Sequence, residues 1–300
     1  MWVVSATNTP MKHRIDPKID CVFKALLGSE ENRNLLIHFL NAILASELSA
    51  PIATVDILNP YNDKEFLDDK LSIVDVKAKD DKDQVYQVEI QLASYDYLPA
   101  RILYNWTDIY SQQLKSGDEY LKLKSTYSIW LLGENLIQDD KNYAHAYQMR
   151  NTKGQTFINH GGIWLLELKK FVAKRIKNDQ QRWLQFFKKG DQFNDENALP
   201  DWMNTPEMRQ AMNTLRRFSE KERDYHTYQA RENYLRQQRT MQWEMDFKLE
   251  AERKEKMQAL KEKDAATQRE SQAMQRESQA LAEIERLKVL LNRDASIVLP

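Results

Sequence analysis

Asp75, in LSIVDVKAKD, and Glu89, in QVYQVEIQL, lie on what reads as the two arms of one β-hairpin. A turn centred on Lys82 sets them directly opposite each other. Side chains alternate faces along a strand, and residues opposed across an antiparallel pair share a face. Both carboxylates are therefore expected on one side, a few ångströms apart, with Gln91 two residues further along on that side. Val74, Val76, Val88 and Ile90 are expected on the other. Adjacent carboxylates repel unless a cation or a shared proton relieves them. A divalent cation held there would activate a water and polarise a phosphoryl oxygen, which is the chemistry of phosphodiester cleavage.

The elements that must position these groups read as follows. Asp16 is placed to cap a helix with Pro17 in its first turn, and Val22, Phe23, Leu26 and Leu27 form its apolar stripe before Gly28 ends it. A second helix after Ser29 buries Leu35, Leu36, Phe39, Leu40, Ile43 and Leu44. A short β-branched strand at 53–58 precedes the hairpin, whose arms span 71–79 and 84–92 around the turn Asp80-Asp81-Lys82-Asp83. Residues 97–115 return to helix, with Leu103, Trp106 and Tyr110 at helical spacing. STYSIWLL (125–132) is a buried strand, and further strands are expected near 145–151 and at 162–167. A crossover helix returns the chain parallel to an earlier strand, so the order predicts an α/β fold with a mixed sheet.

Beyond Leu168 the composition is helical over 169–190, 204–235 and 236–293, with Pro200 and Pro206 separating the first two segments. The last segment carries QRESQAM (268–274) followed at once by QRESQAL (275–281). Its seven-residue period, with Ala266, Ala273, Ala280 and Leu287 in register, suggests a coiled coil and a homo-oligomer formed through the C-terminal helix. Glu270 and Glu277 at the second core position point instead to a solvated single helix, and both readings stand.

Composition sets outer bounds. In 300 residues the net charge is -1, which neither advertises a nucleic-acid binder nor excludes a basic groove offset by acidic surface. Cys21 is the single cysteine, which rules out an internal disulfide and makes a cytoplasmic location the natural one. Its place in an apolar helical pattern suggests a core residue. No run approaches the ~20 apolar residues of a membrane span. The opening MWVVSATNTP does not read as a secretion signal. Five scattered histidines (His13, His38, His145, His160, His226) lack zinc-site spacing, and no phosphate-binding G-x-x-x-x-G-K-[ST] occurs.

An acidic residue on one strand and E-x-K or E-x-Q on the next, within helix–β–β–β–helix–β, resembles the plan of the PD-(D/E)XK nucleases. In that plan Asp75, Glu89 and the backbone carbonyl of Ile90 would be ligands of Mg²⁺, and Gln91 stands where a lysine is usual. Glutamine can orient a water but brings no positive charge. More closely, the chain resembles the recombination-promoting nuclease and transposase group of these proteins, widespread in bacteria. The matching stretches are DPKIDCVFKALLG (16–28), LLIHFLNAIL (35–44), DDKLSIVDVKAKD (68–80), YQVEIQL (86–92) and RILYNWTDIYSQQLKSGDEY (101–120), with IWLLELKKF (163–171) and RWLQFF (182–187) further on.

The resemblance covers roughly residues 12–250. It implies a restriction-endonuclease-like mixed sheet core flanked by helices and a Mg²⁺-dependent DNA endonuclease with catalytic Asp75, Glu89 and Gln91. Asp20 matches the acidic position of the family's opening D-x-x-F-K segment, and Arg101 and Tyr104 share a helix face that could reach a phosphate. The expected organisation is a flexible extension (1–11), a nuclease core (12–168), a helical region (169–235) and a long C-terminal helix (236–300). The rival reading is a weak or inactive nuclease-fold protein that binds DNA or a protein partner.

Overall fold

The computed structural model describes residues 11–59, 74–193 and 199–295. The N-terminal extension expected at 1–11 and the first residues of the hairpin arm expected at 71–79 thus lie almost wholly or partly outside the described residues. The chain divides into two units, Met1–Leu235 and Arg236–Pro300.

The first unit is built on a six-stranded mixed sheet in the order β1-β2-β3-β4-β6-β5. Strand β2 (Val76–Asp80) pairs antiparallel with both its neighbours, β1 (Val55–Leu58) and β3 (Val85–Gln91). Helix α3 (Leu98–Ser111) then crosses over, so that β4 (Thr126–Leu132) pairs parallel with β3. Strand β6 (Gly161–Glu167) pairs parallel with β4, and β5 (Ala144–Tyr147) closes the far edge antiparallel to β6.

The hairpin register pairs Val76 with Val88, Lys77 with Gln87 and Ala78 with Tyr86. Asp80 builds the turn: its Oδ1 accepts the amides of Lys82 (3.0 Å) and Gln84 (2.8 Å), and Oδ2 accepts the Tyr86 hydroxyl (2.9 Å). Such local carboxylate-to-amide bonds favour a turn over continued strand.

On one face of the sheet, the stripe Val22, Phe23, Leu26 and Leu27 of α1 (Asp20–Leu27) and the buried residues of α2 (Arg33–Ile43) meet Val76, Ala78, Tyr86 and Val88. Trp183, Phe186 and Phe187 of α4 (Asp179–Lys189) and Met208 and Leu215 of α5 (Pro206–Glu220) enter this same core. On the opposite face, Leu98 and Ile102 of α3 cover Trp130, Leu132 and Leu165.

Three local expectations are corrected. Asp16 does not cap α1; its Oδ1 accepts the Lys18 amide (2.9 Å) in a turn before the helix, and Ile19 occupies the N-cap. The helix expected from 169 starts only at Asp179, where the Asn178 side chain accepts the Gln181 amide. The buried face of α3 is Leu98, Ile102, Asn105 and Ile109, whereas Leu103 is 53% exposed. Trp106 and Tyr110 instead bond the Thr126 carbonyl at the start of β4 (3.0 Å) and His160 in the loop before β6 (2.8 Å).

Gly161 opens β6 at φ +84, and an added Cβ there would run into the Thr126 backbone carbonyl of β4. Gly161→Ala is expected to destabilise the fold by more than about 2 kcal/mol, because it combines strained backbone with a clash against a central strand. Urea denaturation with an unchanged slope would read this as a lowered midpoint.

Helix α6 (Glu222–Ala295) begins in the first unit. There Tyr225 stacks on His13 (3.8 Å) and the Tyr228 hydroxyl accepts the Asp16 amide (3.2 Å). In the second unit the helix runs with exposed side chains, including stacked Trp243 and Phe247 and the apolar Leu281, Ile284 and Leu287. Among the described residues no helix is long and apolar enough to cross a membrane.

Candidate active site

The ladder between β2 and β3 ends at Val76–Val88, and Asp75 lies in a bend just beyond it. Asp75 and Glu89 clasp each other here. The Asp75 amide donates to Glu89 Oε1 (3.1 Å), while Asp75 Oδ2 accepts the amide of Ile90 (3.0 Å). The amide of Val85 and the carbonyl of Gln91 bond toward β4, so the alternate residue Ile90 points its amide toward β2. The Asp75 carboxylate thus takes the position of the next rung. The bend also breaks side-chain alternation. Val74 packs on Val85 and Ile109 under α3, not with Val76, Val88 and Ile90 as the hairpin pattern predicts.

Glu89 is 3% exposed, and its surroundings are built from β4. The Gln87 amide nitrogen donates to Glu89 Oε1 (3.1 Å), the Ser128 hydroxyl to Gln87 Oε1 (3.1 Å), and the Trp130 indole to Ser128 (2.8 Å). Burial, joined by the charge of Asp75, pushes the Glu89 carboxyl up to about 8. Burial also raises the Asp75 carboxyl, against the opposing pull of the Ile90 amide and of Lys24, whose Nζ is 3.3 Å from Oδ1. Two neighbouring carboxylates, Glu89 buried and Asp75 half-buried beside a single ammonium, suit a hard divalent cation. A strand residue turns its amide and carbonyl to the same side, so the Ile90 carbonyl faces β2 as its amide does. Among the described residues no three His, Cys, Asp or Glu side chains group into a metal site.

The remaining sequence candidates fall as follows. Asp20 is gripped by Arg231 of α6, with Nε to Oδ1 at 2.9 Å and a second bond from Nη2 to Oδ2. Burial would raise its carboxyl, but the Arg231 hydrogen bond and charge hold it below the usual range. Gln91 accepts from Arg101 Nη1 (2.9 Å) and donates to the Ala93 carbonyl (2.8 Å). The Arg101 guanidinium lies over the Trp130 ring (5.5 Å), and Tyr104 is 45% exposed on the outer side of α3. Cys21 is half-buried, and burial lifts its thiol to about 11, which favours the protonated form.

Sequence reasoning missed three contributors: Lys24, Arg231 and Gln87. Lys24 stands in the D-x-x-F-K segment, and Gln87 sits at strand period before Glu89; both signals were on hand. Nothing in the local sequence marks Arg231.

The sheet order, the α3 crossover and the acidic hairpin together define an α/β fold of the nuclease type. The family model for PD-(D/E)XK nuclease family transposases matches residues 17–245, and the chain belongs to that family. No curated protein and no solved structure matches the chain significantly.

Proposed function

We propose that this protein is a Mg²⁺-dependent DNA endonuclease that hydrolyses phosphodiester bonds with limited sequence preference. The observation that carries the reading is the clasp of Asp75 and Glu89 at the end of the hairpin, in a chain of a nuclease family. Asp75, Glu89 and the Ile90 carbonyl would hold the ion, which when bound supplies a water of lowered pKa and neutralises phosphate charge. The chain's own residues fix the geometry. The Ile90 amide orients Asp75, Gln87 orients Glu89, and Gln91 holds the Arg101 guanidinium. The water oxygen bonds to phosphorus, the bond from phosphorus to the leaving oxygen breaks, and the leaving oxygen ends protonated. Purified protein with Mg²⁺ should nick supercoiled plasmid, and Asp75→Ala should not; equal background from both would end the enzymatic reading.

The tied amide of Gln91 favours a second reading, a nuclease-fold protein that binds DNA or a partner with little or no cleavage. Titration calorimetry separates the two, since that protein would bind DNA without binding Mg²⁺ at Asp75 and Glu89.

For the tail, the exposed Ile284 and Leu287 favour pairing with a second copy, against the like charges of Glu270 and Glu277 in the same seam. Light scattering is expected to give twice the chain mass for the full protein and the single mass after truncation at 250. The same number of copies per particle before and after truncation would discard the paired tail.

A further inference from the structure

The wider PD-(D/E)XK pattern uses a lysine at the position of Gln91, and this glutamine is fixed at both ends of its amide. Its carbonyl faces the Arg101 guanidinium (2.9 Å), and its nitrogen is turned to the Ala93 carbonyl (2.8 Å). It brings no positive charge, and the two bonds fix the orientation of its amide toward Arg101 and Ala93. A positive charge nonetheless stands at the carboxylates. It comes from Lys24 in the last turn of α1, with Nζ 3.3 Å from Asp75 Oδ1 and a side chain 41% exposed. One helical turn earlier, Asp20 would be the natural partner of that ammonium. Arg231 takes both Asp20 oxygens instead, which leaves the Lys24 ammonium to Asp75 and to whatever enters from solvent.

We propose that Lys24 is a catalytic residue that brings the positive charge to the scissile phosphate beside Asp75, and that Gln91 is a positioning residue for Arg101. The assignment rests on the nuclease reading above. Lys24 keeps its proton throughout. As the water oxygen bonds to phosphorus and the leaving oxygen departs, the ammonium donates to a non-bridging oxygen on which negative charge builds. The water's proton is balanced by the one gained at the leaving oxygen, so the lysine is unchanged at the end of each cycle.

The test compares full-length wild type, Lys24→Met, Lys24→Arg and Gln91→Ala. For plasmid nicking at saturating Mg²⁺, Lys24→Met should lower kcat about 10²-fold or more, the typical effect of removing one transition-state donor, while Lys24→Arg keeps at least a tenth of the activity. Calorimetric Mg²⁺ affinity should hold or tighten in Lys24→Met, because a competing cation has left Asp75. A second readout needs no turnover: with Ca²⁺ in place of Mg²⁺, fluorescence anisotropy of a labelled duplex should show weaker binding by Lys24→Met and not by Gln91→Ala. Equal duplex binding by wild type and Lys24→Met, or a kcat loss in Gln91→Ala larger than in Lys24→Met, overturns the assignment. Plasmid left intact by wild type sinks the nuclease reading, while the binding comparison still decides whether Lys24 meets a phosphate.

Discussion

Glu89→Gln is expected to remove Mg²⁺-dependent nicking by at least about 10³-fold and, in the same molecule, to raise the thermal midpoint of the metal-free protein at pH 8.5. The two effects share one cause. Glu89 is almost fully buried, and burial with the Asp75 charge lifts its carboxyl from 4.5 to about 8. Above that pH the folded chain must hold two ionised groups side by side, and the unfolded chain does not. A glutamine oxygen can accept the same bonds from the Gln87 side chain and the Asp75 amide, without the charge. Relief on the order of 2–4 kcal/mol follows from a shift of this size, discounted for sharing between two carboxylates. For a unit of this length that corresponds to a midpoint higher by about 5 °C or more. Asp75→Ala should abolish nicking without the same gain, because it also strips the Ile90 amide of its acceptor. A Glu89→Gln protein that melts earlier would remove the buried-charge account; one that still nicks would remove Glu89 from the chemistry.

How much of this is legible in the sequence depends on how local each interaction is. The hairpin register follows from period-two alternation and from Asp80, whose carboxylate closes its own turn within four residues. The α1 and α2 stripes are equally readable, since burial of one face repeats every helical turn. The bend at Asp75 is not, because nothing in the pattern announces that a side chain will replace a ladder rung. Val74 changes face as a result. In α3 the aromatic residues mislead: Trp106 and Tyr110 have polar ends that bond the start of β4 and the loop before β6, while buried Asn105 looks like a surface residue. Gln87 is hidden for the same reason, since its burial depends on Ser128 and Trp130 from a strand beyond the crossover. Lys24 reaches Asp75 and Arg231 reaches Asp20 from helices far apart in the chain, and only tertiary packing brings these groups together.

The affinity for Mg²⁺ is expected to climb about tenfold per pH unit between pH 6 and pH 8 and then to level off. In that window Glu89 holds a proton in the metal-free fold, so each ion bound at Asp75 and Glu89 must release it. The stability of the metal-free protein should move the opposite way. A carboxyl raised from 4.5 to about 8 by folding binds more protons folded than unfolded, so its contribution is fully present below pH 4.5 and is lost as pH rises toward 8. The chain would thus loosen over the range where its affinity for the ion grows, and the bound ion would restore what deprotonation removes. Calorimetry in buffers of different ionisation heat would count about one proton released per ion at pH 7 and few above pH 9. In Glu89→Gln both trends should flatten together. Affinity independent of pH from 6 to 8, alongside a stability that does fall over that range, would mean that Glu89 carries the buried charge but that the ion binds elsewhere.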